Sequence, residues 1–241
     1  MAAENARPGS SAWRLPRRAE GRRDVEGYVA EQDVRPGDRQ RIYVRAARSP
    51  KVTVRIYRMG WYGGRGARLV ASSPPLPVAA QPPCHHRSDT GLTECHWKPT
   101  LSFTVPVNMP TGVYVVSLSA GRGARRDCLF IVEGARPAPL VVQISTATYE
   151  AYNAWGGDSL YPGGRPVAAT GSTQGVEVSY DRPYDSIDGA GQFLIRDVAI
   201  VRFLERYGYP VSYTTNPAVD RRPAELLRAR ALLDAGHSEY W

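Results

Sequence analysis

The stretch GHSEYW, Gly236 to Trp241, sets an imidazole and a carboxylate two residues apart between small and aromatic neighbours. In an extended segment His237 and Glu239 project to the same side. Five tyrosines, Tyr149, Tyr152, Tyr161, Tyr180 and Tyr184, precede it at close intervals. Phenolates and carboxylates are hard, anionic oxygen donors that suit a highly charged cation such as ferric iron. Glu239 with two tyrosines from neighbouring loops would supply three anionic ligands and leave positions open for water and substrate. Such an ion polarises a carbonyl and acidifies bound water, while His237 moves protons or steadies the carboxylate. The same residues admit a plainer reading: tyrosines at the rim of a sheet, rings packed and hydroxyls wet, and a histidine satisfied by backbone.

Other chemistries find less support. No cysteine follows Cys128, and no Gly-x-Ser-x-Gly turn occurs, so a thiol or serine-elbow nucleophile is not expected in the second half of the chain. GWYGGRG, Gly60 to Gly66, lies between strand patterns and reads as a turn, not a phosphate loop. Carboxylates Glu150, Asp158, Asp181, Asp185 and Glu239 are present, but their spacing singles out no acid/base pair. CHHRSDTGLTECHW gathers Cys84, His85, His86, Cys95 and His96. Its spacing matches no common zinc motif, which leaves a plain loop, a Cys84 to Cys95 disulfide, or a metal site.

The elements that must position these residues change style along the chain. From Val25 to about Glu133 short alternating segments such as KVTVRIYRMG and QRIYVRA are separated by turn signals. About seven strands with no helix between them predict an antiparallel β-sandwich of Ig-like type over 24–135. After GARPAPL the run LVVQIST is continuously apolar, as in a parallel sheet buried on both faces. GQFLIRDVAIVRFLERYGY spaces Leu194, Val198, Val201 and Leu204 as a helix ending at Gly208. PVSYTT, RRPAELLRAR and ALLDAG then read as strand, short helix and strand. This alternation predicts an open α/β layer over 136–241, with its functional edge beyond the carboxyl ends of the strands. TATYEAYNAWGG after LVVQIS, DRPYDS after a strand VEVSY, and HSEYW after ALLDAG should converge there.

The formal charge of the 241-residue chain is +8, and Lys51 and Lys98 are its only lysines. The arginines are scattered and form no stripe, so nucleic-acid binding is not expected. No apolar run reaches the roughly 20 residues that span a bilayer, and no apolar stretch follows the N-terminal arginines, so no secretory signal is read. Residues 1–23 are expected to be a flexible basic tail, or the remains of a longer N-terminus, and the default compartment is the cytoplasm.

Six segments, VEGYVAEQDVRPGDRQRIYV, VTVRIYRMGWYGGRGARLV, TGLTECHWKPTLSFTVPVNMPTGVYVVSL, TATYEAYNAWGGDSLY, VSYDRPYD and GHSEYW, together resemble the large subunit of N,N-dimethylformamidase and its relatives. The resemblance runs in order from Val25 to Trp241. It implies a β-sandwich followed by a glutamine-amidotransferase-like α/β domain, and a mononuclear Fe(III) site of two tyrosines and one glutamate. On these positions the glutamate is Glu239, with His237 beside the metal as the catalytic proton carrier. One tyrosine is Tyr152 in preference to Tyr149, and the other Tyr184 in preference to Tyr180. The implied reaction is hydrolysis of a small, non-peptide amide. A small-subunit partner or a homo-oligomer would be in keeping with the family, though no residue here supports either.

The family's large subunits continue past this glutamate, so the expectation is a truncated chain that ends at its metal ligand with catalysis lost. The alternative is a β-sandwich interaction module, residues 24–135 folding alone, with a vestigial α/β part.

Overall fold

The computed structural model of the protein describes residues 1–20, 22–135, 137–163 and 171–240. Two sheets enclose the first core. One has the order β1 (Val25–Val29), β3 (Arg39–Ala46), β9 (Pro99–Thr104), all antiparallel. The other runs β2 (Asp33–Val34), β11 (Arg125–Val132), β10 (Gly112–Ala120), β4 (Lys51–Met59), β5 (Ala67–Ser72), with β6 (Leu76–Pro77) also pairing with β4. A third sheet is parallel, with β12 (Leu140–Ile144) between β13 (Val211–Thr215) and β14 (Ala231–Asp234).

The alternation of side chains in the large sheet divides them between two cores. Val52, Val54, Ile56, Tyr114, Val116, Leu118, Phe130 and Val132 face the smaller sheet. Tyr57, Met59, Val113, Val115, Leu129 and Ile131 face the opposite way. There they pack with Val142 and Ile144 of β12, Phe193, Val201, Leu204 and Tyr213. The large sheet is therefore buried on both faces. A sandwich standing alone would leave the second face to water, which is where the expectation that residues 24–135 fold by themselves meets a physical objection.

The helical pattern after Gly191 forms as two pieces, α3 (Phe193–Arg196) and α4 (Val198–Arg206), divided at Asp197, and Gly208 takes the left-handed conformation that ends them. An unforeseen helix, α5 (Asn216–Arg221), starts where the Thr215 hydroxyl accepts from the Ala218 N–H at 3.2 Å. Pro223–Arg228 is a 3-10 turn instead of an α-helix. The expected strand VEVSY does not form, and Val176 stays about half exposed with its N–H donating to the Thr90 carbonyl at 2.8 Å.

The N-terminal residues are not the loose basic tail expected. Helix α1 (Ala2–Asn5) packs beside the Gly60–Gly66 turn. Glu4 accepts from Tyr62 at 2.8 Å and from Arg68 Nε at 2.7 Å, and Trp13 is buried with its indole N–H donating to the Arg65 carbonyl at 2.9 Å. The basic residues obscured this, because the anchors between them are single, widely spaced side chains.

Among the alternatives for the cysteine and histidine run, the structure holds a Cys84–Cys95 disulfide. It closes a hairpin of β7 (His85–His86) and β8 (Thr93–Glu94). Among the described residues, no helix is long and apolar enough to cross a membrane.

Candidate functional site

The carboxyl ends of β12 and β14 point the same way because the strands are parallel neighbours. The segments leaving those ends therefore meet at one edge. After β12 comes α2 (Thr146–Ala151), capped at its C-terminus by Tyr152 with near-helical backbone, and after β14 comes the segment Gly236–Tyr240. The Tyr152 hydroxyl donates to Glu239 Oε2 at 2.9 Å. His237 Nε2 lies 3.3 Å from the same oxygen. Tyr161 stacks on Tyr152 with ring centroids 4.0 Å apart, and the hydroxyls of Tyr240 and Tyr161 are 3.2 Å apart.

Hydrogen bonding from Tyr161 and then Tyr152, with His237 adding its charge, holds the Glu239 carboxyl below its ordinary range. Loss of water, followed by the bonds to Glu239, Tyr152 and Tyr240, pushes the Tyr161 phenol up. The side chains of His237 and Glu239 are 35% and 43% exposed. A ligand can reach this carboxylate without the fold opening.

The other tyrosines are placed differently. Tyr184 lies in the core, edge-on to Tyr149 at 6.4 Å between centroids, and its hydroxyl donates to Gln32 Oε1 at 3.4 Å. Burial pushes it far above the ordinary phenol value. Tyr149 donates to Asp197, and Tyr180 is pushed up by burial. The structure brings Tyr152, His237 and Glu239 together and seats Tyr184 on Gln32. The second phenol at the carboxylate is Tyr161, which the sequence offered only as one of five tyrosines.

Behind the site lies a polar framework that pattern reading did not find. Arg182 donates from Nε to Glu150 Oε1 at 2.6 Å, from Nη1 to the Trp155 and Asp158 carbonyls at 3.1 Å each, and from Nη2 to the Asn153 carbonyl at 2.9 Å. Asn153 in turn donates to Glu150 Oε1 at 2.9 Å and to the Pro183 carbonyl at 3.0 Å. Burial raises Glu150 while Arg182 pulls it down. These bonds lock DRPYD against the loop that follows Tyr152. The signal was present as YEAYN and DRPY, an acid, an amide and an arginine in otherwise aromatic loops, but nothing in spacing said they would meet.

The disulfide hairpin braces the same loops from the other side. The Cys95 N–H donates to the Asp181 carbonyl at 2.6 Å, His86 Nε2 sits 3.5 Å from Asp158 Oδ2, and Trp97 meets Trp155 edge-on at 6.2 Å. His86 Nδ1 is also 3.0 Å from Thr93 Oγ1, and His96 is directed to Glu94 at 3.5 Å. Among the described residues, no group of three or more His, Cys, Asp and Glu side chains is placed to hold a metal ion. The metal reading of the cysteine and histidine run is therefore not what forms. A phenol and carboxylate set is a different kind of donor set, and Tyr152 with Glu239 has the oxygen chemistry that a hard trivalent cation prefers.

No curated protein matches the chain significantly. Among solved structures, 48% of the chain is similar to 9% of an Escherichia coli alpha-2-macroglobulin activated by porcine elastase, at 12% identity and TM-score 0.32. Likewise 53% of it is similar to 17% of a Paenibacillus sp. cycloisomaltooligosaccharide glucanotransferase, at 17% identity and TM-score 0.28. The chain spans less than a fifth of either protein's length. Residues 53–241, which include every side chain gathered around Glu239, match a family described as N,N-dimethylformamidase beta subunit-like, C-terminal.

Proposed function

This chain belongs to the N,N-dimethylformamidase beta subunit-like family, and from that premise we propose that its Glu239 edge is the site of an iron-dependent hydrolase of small, non-peptide amides. The observation that carries the reading is the convergence of the Tyr152 hydroxyl and the His237 imidazole on one carboxylate oxygen of Glu239. Tyr152 and Glu239 would hold Fe(III), with Tyr161, stacked on Tyr152 and helping to hold the same carboxyl below its ordinary range, as the second phenol. Bound there, the ion would supply a Lewis acid for an amide carbonyl and for water.

The remaining work falls to the chain's own groups. His237, partly exposed and next to Glu239, takes a proton from the attacking water and returns it to the departing amine nitrogen. Glu239 keeps the imidazole oriented. Tyr161 and Tyr240, perpendicular to each other with centroids 6.5 Å apart, offer two apolar walls to a small substrate. In this reading the two sheets around the first core are an Ig-like sandwich and the parallel sheet of β12, β13 and β14 belongs to a glutamine-amidotransferase-like layer.

The test is the visible spectrum of the protein after addition of ferric iron. A phenolate-to-iron band that is lost in Tyr152→Phe and Glu239→Gln and survives in Tyr184→Phe supports the assignment. A band abolished by Tyr184→Phe and untouched by Tyr152→Phe would move the site away from this edge.

A further inference from the structure

Glu239 sits in a segment with little backbone support. Among the described residues, no backbone-to-backbone hydrogen bond reaches residues 236–240. The polar anchor is a side chain: the Thr148 hydroxyl oxygen accepts from the N–H of Glu239 at 2.8 Å and from the N–H of Tyr240 at 3.2 Å. Thr148 is completely buried. A hydroxyl has two acceptor lone pairs, and these two amides occupy both. Back-bonding of a helical threonine to the carbonyl one turn earlier would use the hydroxyl proton, whereas here it is the acceptor side of the oxygen that is committed outward to another segment.

Thr148 and Tyr152 are four residues apart at the end of α2, so they lie one above the other on the same helical face. Tyr152 holds the Glu239 carboxylate, and Thr148 holds the Glu239 peptide. One helix face therefore grips this residue at both ends. At the near end of the segment, Gly236 takes φ +84 with its Cα against Asp197, where a Cβ would fall 2.6 Å from Oδ1. The backbone is thus confined on both sides of His237.

We propose that Thr148 is the positioning residue of the site, fixing Glu239 so that its carboxylate faces Tyr152 and Tyr161. This rests on the reading of Glu239 as a ligand, while the anchoring itself does not. The test pairs Thr148→Val, which keeps the shape and removes the acceptor, with Thr148→Ser, which keeps the acceptor. Two readouts are taken on the whole chain: hydrogen exchange of the Glu239 and Tyr240 amides, and ferric-iron affinity from the phenolate band.

Loss of two net hydrogen bonds should speed exchange in the valine variant by roughly 10- to 30-fold. Loss of a residue that orients a ligand should weaken iron binding by about 10- to 100-fold. The serine variant should restore both, which a general loosening of the fold would not allow. Unchanged exchange in the valine variant overturns the proposal whatever the metal does. Faster exchange rescued by serine supports the anchor, and if wild-type protein then shows no iron band, it is the hydrolase reading that fails. Faster exchange with unaltered iron affinity shows that Thr148 does not position the ligand and overturns the proposal.

Discussion

Arg182 Nε lies 2.6 Å from Glu150 Oε1, and neither side chain has more than a few per cent of its surface in water. Removing one partner of such a buried pair leaves an uncompensated charge and typically costs about 3–5 kcal/mol. Arg182→Ala should therefore destabilise the protein by about that amount in urea denaturation, since it also strips three backbone carbonyls of their donor. The double change Glu150→Gln with Arg182→Met should cost less than Arg182→Ala alone. A loss below about 1 kcal/mol for Arg182→Ala would mean that water replaces the guanidinium and that the loops are not locked by it.

Asp197 gives a pH test with a definite sign. Burial first, and the charge of Asp234 second, push its carboxyl up to about 7, while the hydrogen bond from Tyr149 and the charge of Arg196 pull it down. The folded protein thus holds this proton to higher pH than the unfolded chain, whose carboxyl titrates near 3.8. Its contribution is complete below that value and is lost as pH rises towards 7. Asp127 and Glu150 rise similarly, so the comparison must be with Asp197→Asn. The stability difference, wild type minus variant, should fall between pH 4 and 7 by up to about 1.4 kcal/mol per pH unit. Parallel curves would show that Asp197 ionises freely.

The Cys84–Cys95 bond spans 11 residues of chain, and closing a loop of that size stabilises by about 3 kcal/mol in the chain-entropy account. Cys84→Ser with Cys95→Ser should lower the unfolding free energy by about this much and also speed exchange of the Cys95 amide, which donates to the Asp181 carbonyl. Thiol reductants should reproduce the loss in wild type. Such bonds persist in oxidising compartments, so insensitivity to reductant would show that the pair is already open in the protein as prepared.

Trp13 tests the docked N-terminal segment. It is 8% exposed and hydrogen-bonded to Arg65, and Trp→Ala at a buried site costs about 3–5 kcal/mol. Trp13→Ala should destabilise accordingly in thermal or urea unfolding. An effect under about 0.5 kcal/mol, the size of a surface substitution, would restore the picture of a loose tail.

The strands were legible where apolar residues alternate: β3 and β4 lie close to where QRIYVRA and KVTVRIYRMG put them. The parallel strands followed from continuous apolar runs between helical periods. What escaped were contacts made by single residues far apart in the chain. Trp13 meets Arg65 and Gly66, Gln32 meets Tyr184, and Glu150 meets Arg182; no local period encodes these pairings. At the site, His237 and Glu239 were visible as a pair at strand-like spacing. The choice among tyrosines was not, because Tyr149, Tyr152, Tyr180 and Tyr184 have the same chemistry and only the fold decides which ring turns inward.

The large sheet, with one face in each core, joins what the sequence shows as two styles of chain into one cooperative unit. Differential scanning calorimetry should accordingly record a single melting transition with equal calorimetric and van't Hoff enthalpies. Damage to the interior of the first half would then be felt at Glu239 as a change in the fraction of molecules that have an edge at all, with the occupied sites unaltered in affinity. Variation in this half would act on abundance, and variation around α2 on recognition.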